Sequence, residues 1–236
     1  FIVWGAMAFA ALGTLALSLV PPALALWTFR STLDGQWDFV YDDNHNFIDI
    51  LELNWKNFRW YWEDGVLLGV YEPVALTLKA VAVHFVGFDA AAFHVIATVL
   101  HVVNAWLVFF FAWAFVSGTA GPALTGGERW KRKVGCAVGG CLFAVHPLTV
   151  QVICWLSCIP YMLSALFSQL GLLCVLSASR PGPQPTLARR AGGAALRVLS
   201  ILLYFAAATS KPQGIALALV YVVVEYDGGA RAARAP

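Results

Sequence analysis

The sequence predicts a polytopic all-α membrane protein with a large first loop on the extracytoplasmic side. Apolar residues make up 60% of the 236 and charged residues only 12%, with a mean hydropathy of +0.73. That composition excludes an ordinary soluble domain. Several apolar runs reach the roughly 20 residues that a hydrocarbon core demands of a helix. The loops between them also sort by charge. With residues 1–26 as the first span and sides alternating from there, one side holds Arg129, Lys131, Arg132, Lys133, Arg180, Arg189, Arg190, Arg197, Arg231 and Arg234, against Glu128, Glu225 and Asp227. The other side holds ten acids, all between Asp34 and Asp89, and the bases Arg30, Lys56, Arg59, Lys79 and Lys211. The positive-inside rule makes the basic side cytosolic and turns the acidic, tryptophan-rich loop outward.

The expected spans lie near 1–26, 92–116, 134–146, 149–178, 198–209 and 213–225, with a luminal loop over 28–91. The first run is too long for a signal-peptide core and has no clear small-residue cleavage site, so it reads as a retained helix ending at Pro21-Pro22 or shortly after. In the loop, Asn54 is placed to cap a short helix in which Trp55, Phe58 and Trp62 share one face, as suits a helix lying flat at the interface. The stretch from Tyr71-Glu72-Pro73 to about Phe88 carries Lys79 and His84 and reads as an amphipathic surface helix. Arg180 to Arg190 reads as a mobile Pro-rich linker, and Gly228 to Pro236 as a small-residue tail. With no initiator Met, the chain reads as a piece of a longer protein.

Polar residues at membrane depth point to function or to a buried partner. In the second span His94, Ala97, Thr98, His101 and Asn104 fall on one face, as interhelical glue or as a cavity wall. His146-Pro147 ends a helix and frees carbonyls. Ser210-Lys211-Pro212-Gln213 is a corner holding one cation, which either snorkels to the interface or binds a phosphate as a point charge. In Trp37-Asp38-Phe39-Val40-Tyr41-Asp42-Asp43-Asn44, the paired carboxylates suit a general base, a hydroxyl anchor or a metal ligand. The five cysteines all lie in membrane runs and imply no disulfide framework. Cys154 and Cys158 share a helix face, but no His or third Cys completes a zinc site, so no metal is expected.

The ordered set Phe39-Val40-Tyr41-Asp42-Asp43, Tyr71-x-Pro73, Leu76-Thr77, Phe93-His94, His101-x-x-Asn104, Leu142-Phe143-Ala144-Val145-His146-Pro147, Trp155 and Ser210-Lys211-Pro212 resembles the membrane domain of the transmembrane and tetratricopeptide-repeat O-mannosyltransferases and their bacterial relatives, in the GT-C glycosyltransferase superfamily. The resemblance implies a polytopic GT-C-like helical bundle whose large first luminal loop carries interfacial helices. It implies transfer of a sugar, typically mannose from dolichyl-phosphate mannose, to a luminal protein acceptor. The polyprenyl-phosphate sugar is then a donor substrate, and no separate cofactor is expected. It places the chain in the endoplasmic reticulum membrane with 28–91 luminal, or in a bacterial inner membrane with that loop facing the periplasm. Expected partners are membrane lipid, the luminal acceptor and other membrane subunits, but no nucleic acid.

By the same resemblance Asp42 and Asp43 match the catalytic acidic pair. Lys211 and His146 match donor-phosphate positions, and His94, His101, Asn104, Tyr71 and Gln213 fall where a cavity lining is expected. The chain also departs from the pattern. Glu72 stands where the family tends to carry Arg or His, Ala97 replaces an Asn, and Ser157-Cys158-Ile159-Pro160-Tyr161 lacks the usual charges after the Trp. These losses open a second reading: a non-catalytic structural subunit or pseudoenzyme that keeps the scaffold within a larger membrane assembly. A small-solute transporter is a third, which leaves the acidic loop and surface helices unexplained.

Overall fold

The computed structural model describes residues 2–48, 53–67, 69–118, 125–179 and 187–233. Those residues form nine α-helices: α1 (Ile2–Thr28), α2 (Phe58–Glu63), α3 (Pro73–Val86), α4 (Ala90–Gly118), α5 (Gly126–Ala144), α6 (Pro147–Cys154), α7 (Ile159–Ala178), α8 (Leu187–Ser210) and α9 (Leu217–Ala233). One antiparallel pair of two-residue strands, Val66–Leu67 with Val70–Tyr71, is the sole β structure among them. Four helical segments are long and apolar enough to cross a membrane: Ala11–Thr28, Ala90–Ser117, Leu156–Ala178 and Leu187–Ser210. A fifth forms if α5 and α6, bent by 54° at their junction, count as one broken span. The protein is an all-α membrane protein.

Helix α4 is the hub, packing against α1, α5, α6 and α7, while α8 closes the far side against α7. Its central place explains its polar face. Ala97, Thr98, His101, Asn104 and Ala105 are all buried, facing protein rather than lipid. Small residues let the neighbours come close. At Gly140 of α5 a Cβ would sit 2.7 Å from Pro21 Cγ of α1 and 3.4 Å from the Ala105 carbonyl.

The packing sorts charge to opposite ends. Lys133 of α5 bonds Thr14 of α1, and Arg132 Nη1 donates to the Val116 carbonyl at the end of α4 (3.1 Å). At the other end, Thr32, just past α1, shares a 2.6 Å hydrogen bond with Thr98 in α4. Asp42 and Asp43 of the first loop meet Trp155 and Ser157, and Glu72 meets Lys211. Asn54 caps a 3-10 turn, Trp55–Asn57, that leads into α2. Asn54 Oδ1 accepts from Lys56 N at 3.0 Å, Phe58 and Trp62 rings lie 5.9 Å apart, and Trp62 stacks on Phe205 of α8. Helix α3, at 14 residues, is too short to cross.

Several boundaries differ from the sequence expectation. Helix α1 runs through Pro21 and Pro22 to Thr28; internal prolines of this kind occur in membrane helices. The run expected as one helix over 149–178 is two, with Trp155 extended between them (φ −112°, ψ 106°). Cys154 and Cys158 therefore do not share a helix face. Helix α5 starts at Gly126, ahead of the run at 134–146, and ends at Ala144; α8 starts at Leu187, inside the linker expected over Arg180–Arg190; and α9 starts only at Leu217, after a 3-10 turn, and continues to Ala233. The Pro-rich segment 180–186 and residues 234–236 lie outside the described residues.

The α1–α5 contact yields a test. Gly140→Val puts carbon into the rigid Pro21 ring and is expected to lower stability by about 1–3 kcal/mol. Gly139→Ala, where an added Cβ meets nothing within 4 Å, is expected to stay close to wild type. Thermal unfolding in detergent checks both.

Candidate functional site

The acidic end is built around Phe47, fully buried and edge-on to Phe93 of α4 at 4.7 Å, with Phe39 5.3 Å away on its other side. Those rings seat the segment between Phe39 and Ile48 on the bundle and fix where the paired carboxylates point. Asp43 is fully buried. Its Oδ1 accepts from Ser157 N at 2.7 Å and from Ser157 Oγ at 2.6 Å. Its Oδ2 accepts from Val40 N at 3.1 Å, across a turn closed by Asp43 N to the Val40 carbonyl. Asn46 adds bonds to Ser157 Oγ (2.9 Å) and the Asp42 carbonyl (3.0 Å). A buried carboxylate persists only with such a donor set.

Asp42 has a different environment. It is half-buried, its Oδ1 accepts from Trp155 Nε1 at 2.9 Å, and it lines an open cavity of about 780 Å³ with Val40, Pro147, Gln151, Cys154 and Trp155. The turn between the two aspartates depends on Tyr41, the sole non-glycine residue with positive φ (53°) among the described residues. A non-glycine residue held there is under strain, which the surrounding bonds must over-determine. The expected catalytic pair thus divides: Asp43 is locked in structure, and Asp42 faces open space.

Lys211, at the corner after α8, pairs with Glu72, and its Nζ lies 4.6 Å from the Tyr161 ring centroid. Gly214 allows this corner to form, since a Cβ there would sit 2.7 Å from the Ala207 backbone. Gln213 is exposed and, with Lys211, Tyr161 and Ser164, lines a smaller cavity of about 220 Å³. His146 is exposed; its Nδ1 accepts from Leu148 N at 3.3 Å to cap α6. It adjoins Pro147 of the Asp42 cavity, whereas the partners of Lys211 are Glu72 and Tyr161. Tyr71 is exposed and donates its hydroxyl to the Trp62 carbonyl (2.7 Å).

The second-span polar residues act as glue between helices. His101 Nε2 lies 2.9 Å from the Ala144 carbonyl. In an unbroken helix that carbonyl would be served by Leu148 N, which caps onto His146 instead. Asn104 donates to the Met162 carbonyl and accepts from Gln169 Nε2, both at 3.0 Å. His94 is fully buried beneath Trp37, ring to ring 5.6 Å, with the Asp38 backbone close to its ring. Among the described residues no group of three or more His, Cys, Asp or Glu is arranged to hold a metal ion.

Sequence reading missed Lys79 as part of the site. It follows Glu72 by seven residues and Leu76 by three, so all three share a face of α3; that spacing was the available signal. Lys79 is 3% exposed, with Nζ 4.5 Å from the Phe47 ring centroid. Burial pushes its pKa down from 10.5 to about 8, opposed by the nearby Glu72, Asp43 and Asp42 carboxylates and reinforced by Lys211. Ser157, read only as a missing charge, is the anchor for Asp43. Comparison with known protein families, curated proteins and solved structures finds no match to this chain.

Two measurements follow from this geometry. A double-mutant cycle over Asp43→Asn and Ser157→Ala is expected to give a coupling of about 2 kcal/mol, because the bonds are charge-assisted and buried. Additive effects would mean the pair is not joined. For Lys79, both folded and unfolded forms are protonated below pH 8. Between pH 8 and 10.5 the unfolded chain binds the extra proton, so stability rises with pH by on the order of 3 kcal/mol. Lys79→Met is expected to be the more stable protein at pH 7, with that advantage shrinking steadily up to pH 10.5 in thermal unfolding. A wild-type-minus-variant difference that is flat with pH would contradict the assignment.

Proposed function

We propose that the chain is a GT-C-like glycosyltransferase that moves a sugar, mannose by its resemblance, from a polyprenyl-phosphate donor to a hydroxyl of a luminal protein acceptor. The observation that carries this reading is Asp42 at the edge of an open cavity, at the same end of the bundle as two lysines. Lys79 lies within electrostatic reach of Asp42, Asp43, Glu72 and Lys211 together. Asp42 takes the proton from the acceptor hydroxyl. The hydroxyl oxygen bonds to the anomeric carbon, the bond from that carbon to the phosphate oxygen breaks, and polyprenyl phosphate departs with both electrons. Lys211 stabilises the charge that grows on the phosphate, as aimed cations do in a low-dielectric site. Asp43 holds the loop and takes no part in proton transfer. The positive-inside rule supports an extracytoplasmic face for this end, and the resemblance supports the endoplasmic reticulum lumen or a bacterial periplasm as that compartment.

A second reading is favoured by one contact. Glu72 already neutralises Lys211, as suits a scaffold that has lost donor binding and serves as a non-catalytic subunit of a larger membrane assembly. The test is transfer from a polyprenyl-phosphate sugar by purified protein in detergent or nanodiscs. Asp42→Asn is expected to lower the rate by about 10²–10⁴-fold, the usual worth of a general base, while leaving thermal unfolding near wild type. Asp43→Asn is expected to act mainly through stability. Transfer undiminished in Asp42→Asn sinks the mechanism, and a wild-type protein inert toward every such donor supports the subunit reading.

A further inference from the structure

Tyr41 is a strained choice for its place in the chain. Its φ of 53° lies in the left-handed region, where Gly or Asn costs less than a bulky side chain. The residue is 88% exposed, so burial of the ring offsets little of that strain. A strained residue whose side chain adds little to the core points to a role outside folding. Tyr41 lines the cavity of about 780 Å³ beside Asp42, and its ring stands edge-on to Trp155 at 5.9 Å. Trp155 Nε1 holds Oδ1 of Asp42, which leaves Oδ2 for a ligand hydroxyl.

The charge of this cavity has one sign. Among the described residues no Lys, Arg or His lines it. The loop wall belongs to a stretch with no Lys or Arg between Arg30 and Lys56, in which Asp34 and Asp38 are also exposed. The other wall, α6, is uncharged from Pro147 to Cys154. Deeper in, Glu72, Asp43 and Asp42 outnumber Lys79 and Lys211 by three to two. Lys211 lines a different cavity, with Tyr161 and Ser164. A cleft of one sign with apolar walls focuses its field on an entering ligand. An aromatic face next to a carboxylate is also a place where cations bind.

We propose that the Asp42 cavity takes a hydroxyl-bearing peptide segment flanked by a basic residue, and that Tyr41 is the residue that selects it. The ligand hydroxyl meets Asp42, and the flanking cation lies over the Tyr41 ring. An acidic segment is repelled by the carboxylate and by the negative face of the ring. This names the acceptor class for the sugar-transfer reading, and it rests on that reading in calling the peptide an acceptor.

Binding is measured without transfer, on the whole chain in phosphatidylcholine nanodiscs, with empty nanodiscs as the blank. The probes are three capped pentapeptides with a central threonine between two arginines, two glutamines or two glutamates. The arginine peptide is expected to bind at least tenfold tighter than the glutamate peptide at low salt, with the glutamine peptide between them. That gap is expected to narrow as salt rises. Tyr41→Asn, which suits the left-handed backbone, is expected to weaken the arginine peptide at least threefold and leave the glutamine peptide near wild type, with thermal unfolding unchanged or raised. Tyr41→Phe keeps the ring face and is expected to bind as wild type does. Gln151→Lys, at an exposed position of the α6 wall, is expected to erase the preference for arginine over glutamate. Equal binding of the three peptides by wild type overturns the proposal, and so does arginine-peptide binding that Tyr41→Asn leaves unchanged or that Tyr41→Phe weakens equally. The wild-type series decides by itself where a variant fails to fold. Charge-selective binding with no sugar transfer to the arginine peptide removes the enzyme reading and leaves the site. Transfer without charge preference removes the site and leaves the enzyme reading.

Discussion

Asp43 is a carboxylate with no access to water, and the arrangement of the acidic end follows from how it is satisfied. Its oxygens accept from Ser157 twice and from Val40 once. A first loop more than a hundred residues earlier in sequence is thereby tied to the start of α7. Removing either partner would strand a charge or a set of donors in a low-dielectric interior. That tie fixes the neighbouring residue as well. With Asp43 turned inward and Tyr41 held at positive φ, Asp42 is presented to the cavity beside Trp155. One carboxylate is spent on position so that its neighbour can be exposed in a defined place.

The broken span depends on the same logic. Pro147 ends the regular hydrogen bonding of α5, and a free carbonyl at membrane depth needs a donor. His101 on the hub helix reaches the Ala144 carbonyl, and His146 caps the next helix. The 54° bend is therefore held from two sides, and it brings Pro147 and Gln151 to the wall that Asp42 completes. Helix α4 supplies the His101 donor because it packs against both α5 and α6.

Much of the fold was legible in the sequence. Apolar run length marked four of the six expected spans; the run at 134–146 is one arm of the bent α5–α6 pair and the run at 213–225 is too short to cross alone. The Asn54 cap and the adjacency of Phe58 and Trp62 were also legible. The site was legible in part. Asp42, Asp43 and Lys211 were identifiable, but their division of labour was not, because periodicity cannot say which of two adjacent carboxylates turns inward. Ser157 looked like an absence of charge and proved to be a hydrogen-bond donor. Lys79 looked like the mark of a surface helix, yet it is buried against Phe47, a contact between segments about thirty residues apart that no local pattern reveals. The break at Trp155 escaped because the residues on either side are as apolar as an unbroken span.

On the proposed topology the Asp42 cavity and the Lys211 corner open to one compartment, opposite the basic ends of α5 and α8. Sided labelling tests it most directly. Single cysteines at Tyr41, Gln213 and Arg189, all on a background without the five native cysteines, would be placed in sealed vesicles of one orientation and treated with a membrane-impermeant maleimide. The account predicts that Tyr41→Cys and Gln213→Cys label from the same side and Arg189→Cys from the other. Labelling of Tyr41→Cys and Gln213→Cys from opposite sides would contradict it.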